Sequence, residues 1–148
     1  MIYLAQPYSH PDPTIVQTRY EIALEYCNLL RDRHPYSPIV HWHNVASKHD
    51  LPTDAAFWRK YNYHMLSLAS SLYILRMPGW EQSEGLANEV KYCLEKNIST
   101  RMIFTDKDKI DIYIVSPLGI LDQMTHGKNN SKRTTHLRSN DGDVGNSN

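Results

Sequence analysis

Short solid apolar runs alternate along the chain with longer stretches in which apolar residues recur every three or four positions. Residues 1–5 are an apolar run that stops at Gln6-Pro7, which predicts a buried first strand of four or five residues. Asp12 then Pro13 reads as a helix cap with proline at the first helical position. Val16, Tyr20, Ala23, Leu24, Cys27 and Leu30 then keep helical spacing until His34-Pro35. Residues 37–42 (Ser-Pro-Ile-Val-His-Trp) predict a second brief strand, and the polar stretch 44–52 predicts a loop of the length that often carries function. Thr53 is placed to cap a second helix with the stripe Phe57, Tyr61, Met65 and Leu68. Residues 72–77 are apolar almost throughout, as strands covered on both faces tend to be. Pro78-Gly79-Trp80 then turns the chain, and Ser83 caps a third helix striped by Leu86, Ala87, Val90 and Leu94 as far as Asn97. Residues 101–105 and 110–115 are two more strands around the charged turn Asp106-Lys107-Asp108-Lys109, and 117–124 is a short helix.

This alternation predicts an α/β architecture: a parallel sheet between helical layers, joined by right-handed crossovers. Ligands of such sheets sit outside the carboxyl ends of the strands, where the strand order reverses. The loops to watch are therefore 6–12, 41–53, 78–83 and 105–109.

At 148 residues the chain has room for one domain, placed at 1–125. Residues 126–148 contain two aliphatic side chains in 23, too few to offset the entropy of ordering, so a disordered polar tail is expected there. Sixteen Lys plus Arg balance sixteen Asp plus Glu, leaving no basic field to draw in a nucleic-acid polymer. No apolar run approaches the roughly 18 residues of a membrane span, and the N-terminus lacks a basic region followed by a longer apolar stretch. A cytoplasmic protein with no membrane partner is expected. Cys27 and Cys93 lie on apolar helix faces and read as small core hydrophobes. Ten Tyr and three Trp against two Phe make a polar-tipped aromatic set, suited to a pocket wall or a subunit contact.

The segment most informative about chemistry runs from Met77 through Pro78, Gly79, Trp80, Glu81, Gln82, Ser83, Glu84 and Gly85 to Glu89. Ser83 and Gly85 stand where helix N–H groups are unpaired, a place to hold an anionic or hydroxyl-rich ligand. Glu89, six residues past the cap, is expected to stay ionised near the positive helix end. It is free to point into a pocket while Leu86 and Val90 face the sheet. The plain alternative is a capped surface helix carrying a solvated glutamate.

Taken together, Ile2-Tyr3-Leu4-Ala5-Gln6-Pro7-Tyr8-Ser9 on the first strand and Ser83-x-Gly85-x-x-x-Glu89 after the third resemble the nucleoside 2-deoxyribosyltransferase superfamily. That superfamily includes the 2'-deoxynucleoside 5'-phosphate N-hydrolases, and the resemblance spans about residues 1–125. It implies a flavodoxin/Rossmann-like three-layer sandwich with a five-stranded, mostly parallel sheet. It also implies an N-glycosidase that releases or transfers the base of a deoxynucleoside or its 5'-monophosphate, without a cofactor and as a homodimer or larger homo-oligomer. Glu89 matches the nucleophile that would attack C1' and form a glycosyl ester, and Tyr8 is the match for the tyrosine that orients it. Gln6, Ser9, His43, Trp80, Ser83 and Gly85 become candidate substrate contacts. The transferases carry Asp where this chain has Ser83, as the monophosphate hydrolases do; a serine beside helix amides donates to a phosphate that a carboxylate would repel. Family members also carry an Asp at the start of strand three, where Ser70-Ser71 stands here. Asp54 is the substitute candidate for protonating the leaving base, against its ordinary reading as an acid favoured by the helix dipole. A nucleotide-sequestering module without turnover and an NAD-type N-ribosyl hydrolase are the alternatives.

Other residues have duller readings beside the functional ones. His41, His43 and His49 are candidate metal ligands or, without cysteine and a defined fourth ligand, pocket-lining groups. Trp80 stacks on a base or packs as a lid over the helix. Arg19 approaches a phosphate or pairs with Glu21 or Glu25. Lys107 and Lys109 belong to a solvated turn.

Overall fold

The computed structural model describes residues 1–106 and 109–138. Its strands are β1 (Ile2–Ala5), β2 (Pro35–Tyr36), β3 (Ser71–Leu75), β4 (Ser99–Asp106) and β5 (Lys109–Ile114). Its helices are α1 (Pro13–Leu29), α2 (Pro38–His49), α3 (Ala55–Ser67), α4 (Glu84–Lys96) and α5 (Pro117–Arg138). The strands form one sheet in the order β2-β1-β3-β4-β5. The first four are parallel and β5 turns back antiparallel to β4. This is the three-layer, mostly parallel α/β fold of the flavodoxin/Rossmann type expected from the alternation of elements. The order reverses at β1, so the cleft outside the carboxyl ends of β1 and β3 is where a ligand site belongs.

Strand alternation divides the core in two. Tyr3, Ala5, Leu72 and Ile74 pack with Leu66 of α3, Leu86, Val90 and Cys93 of α4, and Ile120 and Met124 of α5. Ile2, Leu4, Tyr73 and Leu75 meet Tyr26 of α1 and Leu30 just beyond it on the opposite face. Tyr3 is thereby placed on the α4 side of the sheet.

Several boundaries differ from the sequence expectation, each for a local reason. Residues 37–42 are no strand: the Ser37 side chain accepts from the Val40 amide at 3.4 Å, Pro38 occupies the first helical turn, and α2 runs on to His49. Cap and proline outweigh the strand preference of Ile39 and Val40. The expected loop 44–52 shrinks accordingly, because α2 ends only at Asp50 in the left-handed conformation (φ 51°). Asp54, not Thr53, caps α3, its carboxylate accepting from the Phe57 amide at 2.9 Å. The third strand stops at Leu75 rather than 77, where Pro78 removes a donor from the ladder. The final helix does not end at 124 with a disordered tail from 126: it continues through Arg138, propagated from a first half that buries Ile120 and Met124. The tail expectation for 139–148, and the turn residues Lys107 and Asp108, lie outside the described residues. Among the described residues no helix is long and apolar enough to cross a membrane.

Candidate active site

Glu89 belongs to the inward stripe of α4. Leu86, Glu89, Val90 and Cys93 are all buried, the i, i+3, i+4, i+7 pattern of a core-facing helix with one carboxylate among apolar neighbours. Only 7% of Glu89 is exposed. The Tyr3 hydroxyl donates to its Oε1 at 2.7 Å and Asn62 Nδ2 donates to the same oxygen at 3.4 Å. Burial pushes the carboxyl up to about 7, although both hydrogen bonds pull it down. The expectation that Glu89 stays ionised near the positive helix end is thus revised: desolvation leaves it only partly ionised at neutral pH.

The same glutamate lines a cavity of about 530 Å³ at the carboxyl ends of β1 and β3. Gln6, Tyr8 and Ser9 reach it from the β1 loop, Trp42 and His43 from α2, Asp54, Trp58 and Asn62 from α3, and Ser83, Gly85 and Asn88 from the start of α4. Ser83 caps α4, its Oγ accepting from the Leu86 amide at 3.3 Å, which leaves the hydroxyl hydrogen free to donate outward. Gly85 matters through what it lacks. A Cβ there would project to 3.8 Å from the Ala55 Cβ, so the missing side chain keeps space open between the first turns of α3 and α4.

Other expected site residues are placed differently. Tyr8 lines the same cavity but is not among the hydrogen-bond partners of Glu89. Its hydroxyl is 2.8 Å from His43 Nδ1, and Tyr3, one residue into β1, holds the glutamate instead. Trp80 is withdrawn into the core at 3% exposure, with the Arg76 guanidinium 5.6 Å over its ring, and is not among the cavity's lining residues. Trp42 and Trp58 supply the indole wall in its place, 4.9 Å apart. Ser9 Oγ donates to the Thr53 carbonyl at 2.7 Å, bridging the β1 loop to the segment before α3. Gln6 Nε2 donates to the Arg19 carbonyl at 2.6 Å while its buried Oε1 has no partner. Ser70 and Ser71 stand at the amino end of β3, where Ser70 Oγ bonds the Met1 carbonyl, so the acid missing there leaves no gap in this cavity.

Arg19 lines the cavity at 8% exposure. It donates to the carbonyls of Tyr8 and Ser9 at 3.2 and 2.9 Å and of Pro78 at 3.3 Å, tying both loops together rather than pairing with Glu21 or Glu25 on its own helix. Gly79 (φ 90°) is required beside it, for a Cβ would meet the Arg19 guanidinium at 3.0 Å. On α2 the two histidines diverge, as positions two apart on a helix must. His43 faces the cavity, while His41 is exposed and stacks near Tyr61. Among the described residues no three His, Cys, Asp or Glu side chains gather as a metal site needs.

Sequence reasoning missed Tyr3, Asn62 and Trp42 as parts of one site, and it weighed Arg19 as a phosphate contact rather than as the tie between the β1 and Pro78 loops. Tyr3 was legible from alternation, since it shares a face with the strand residues that meet α4; the others depend on how the helices pack.

A three-layer α/β domain with a buried carboxylate in a cleft at its topological switch point is the class that fold and site define. The chain belongs to a family described as a domain of unknown function (DUF1937), whose model matches residues 1–104. That span holds the whole cavity wall, from Ala5 to Glu89. No curated protein matches the chain.

Proposed function

We propose that the protein is an N-glycosidase acting on 2'-deoxynucleosides or, preferentially, their 5'-monophosphates, with Glu89 as nucleophile. The observation that carries this reading is the Glu89 carboxylate itself: desolvated, gripped by Tyr3 and Asn62, and facing a cavity large enough for a small ligand. An enzyme keeps such a costly group where it is used. With its carboxyl near 7, a large fraction of Glu89 is ionised at neutral pH, and the two donors hold one oxygen while the other is free to attack C1'. The glycosidic bond breaks, its electron pair leaves with the base, and a glycosyl ester forms; water or a second base then attacks C1' and releases Glu89.

The preference for a monophosphate rests on the start of α4. Ser83 retains a hydroxyl hydrogen, the first turn offers unpaired N–H groups, and Gly85 lets a ligand approach the backbone. Trp42 and Trp58 provide an aromatic wall for a planar base. The reading needs no cofactor, and it includes a cytoplasmic location and a homodimer or larger homo-oligomer, for which sedimentation velocity is the check.

Incubation with the four deoxynucleoside monophosphates, the matching deoxynucleosides and ribonucleotides, followed by chromatography for free base, tests the reading. Release from deoxynucleotides, faster than from deoxynucleosides and absent with Glu89→Gln, is expected. Tight binding without release would support the sequestering module, and release from the ribonucleotides, or from NAD added to the same panel, would support the N-ribosyl hydrolase.

A further inference from the structure

The departing base must gain a proton, and the structure offers a donor that differs from the one expected. We propose that Tyr8 is the catalytic acid that protonates the leaving base and that His43 is the positioning residue that holds it; this rests on the N-glycosidase reading. Among the described cavity-lining residues, the other proton-bearing candidates are engaged or exposed. Asp54 is exposed and its carboxylate caps α3. Glu84 is exposed in the first turn of α4. His10 is exposed, its ring accepting from the Asp12 amide. Tyr63 donates its hydroxyl to the Asn88 carbonyl at 3.3 Å. The Tyr8–His43 pair remains, half-buried, with oxygen and Nδ1 2.8 Å apart.

The pair is built rather than accidental. The His43 ring lies flat on Tyr20 at 4.0 Å with 9° between planes, and edge-on to Tyr8 at 5.9 Å. Tyr20 is itself fixed by the Asn44 amide, which donates to its hydroxyl at 3.1 Å. Burial raises the Tyr8 phenol and lowers His43, so the first keeps its proton and the second is neutral near pH 7. In the tautomer with its proton on Nδ1, His43 donates to the Tyr8 oxygen and leaves the phenol hydrogen free for the cavity. A nucleobase leaving through nitrogen is a weak acid of phenol-like strength, so the proton transfer is nearly balanced.

As Glu89 bonds to C1' and the C1'–N bond breaks, the Tyr8 proton moves to the departing base. The phenolate that remains is held by the His43 N–H. In the second half, water gives a proton back to Tyr8 as its oxygen adds to C1', and the Glu89 ester bond breaks.

The test compares two substrates: a deoxynucleotide, and 4-nitrophenyl 2-deoxyribose 5-phosphate, whose leaving group departs without protonation. Tyr8→Phe is expected to lower the single-turnover rate of base release by about 100-fold or more while keeping the first-turnover burst of nitrophenol within about threefold; later nitrophenol turnovers slow because water attack on the ester loses its base. His43→Asn, whose side-chain amide still donates, is expected to keep more activity than His43→Phe. Glu89→Gln is expected to lose both substrates. Equal losses of Tyr8→Phe in the first turnover of both substrates, or undiminished base release, overturn the assignment of the acid and leave the nucleophile standing. A wild-type chain that cleaves neither substrate overturns the N-glycosidase reading and this inference with it.

Discussion

A single carboxyl group sets both the chemistry and a cost in stability. Glu89 titrates at about 7 when folded, against an ordinary value of 4.5. The native chain therefore holds that proton more tightly than the unfolded one. Stability from this group is full below about 4.5, declines as pH rises to about 7, and above that the buried anion costs about 3 kcal/mol. Glu89→Gln, which keeps an acceptor for Tyr3, is expected to raise stability at pH 8 by up to that amount and to flatten its pH dependence between 5 and 7. Denaturant melts of both forms across that range are the check; parallel curves would contradict the buried carboxylate. The activity has the opposite slope: base release is expected to fall as pH drops through about 7 because the nucleophile becomes protonated.

At the scale of elements, the start of α4 was readable in advance and the start of α2 was not. Ser83 capping, the stripe and the stop at Asn97 (φ 54°) all follow from local chemistry, and the chain obeys it. Ser37-Pro38 carries the same cap-and-proline signal as Asp12-Pro13, yet Ile39 and Val40 behind it imitate a strand. That misreading hid Trp42 as part of the cavity wall, although His43 was already a candidate contact; both line the cavity from a helix. Trp80 misled in the other direction: a tryptophan in a turn after a strand looks available to a ligand, and only packing against α5 and β3 makes it core. Gly85→Ala tests the element directly. It is expected to stabilise α4 by up to about 1 kcal/mol, since the added methyl meets only ordinary contacts, while weakening deoxynucleotide binding. Unchanged affinity by calorimetry would show that no ligand approaches there.

Over the whole molecule, the parallel sheet and its two covered faces follow from alternating short strands and helices. The antiparallel return of β5 is written in the short charged turn before it, since so few residues cannot cross over to a parallel neighbour; the order of the strands and the length of α5 leave no such local pattern. Ile120 and Met124 anchor α5 in the core, and Gly127 lies so close to Glu81 that a Cβ would come within 2.7 Å of it. Truncation after Ser116, which removes two buried side chains, is accordingly expected to cost about 4 kcal/mol or more in thermal or denaturant melts. An unchanged midpoint would contradict the packing of Ile120 and Met124 against the sheet. The central claim for the molecule is that a glycosyl group passes through Glu89. A 2-fluoro-deoxynucleotide analogue slows the second half of such a reaction, so peptide mass spectrometry after incubation reads the intermediate directly. The expected result is one fluorodeoxyribose phosphate on the peptide containing Glu89; base release with no adduct, or with the adduct on another residue, would contradict it.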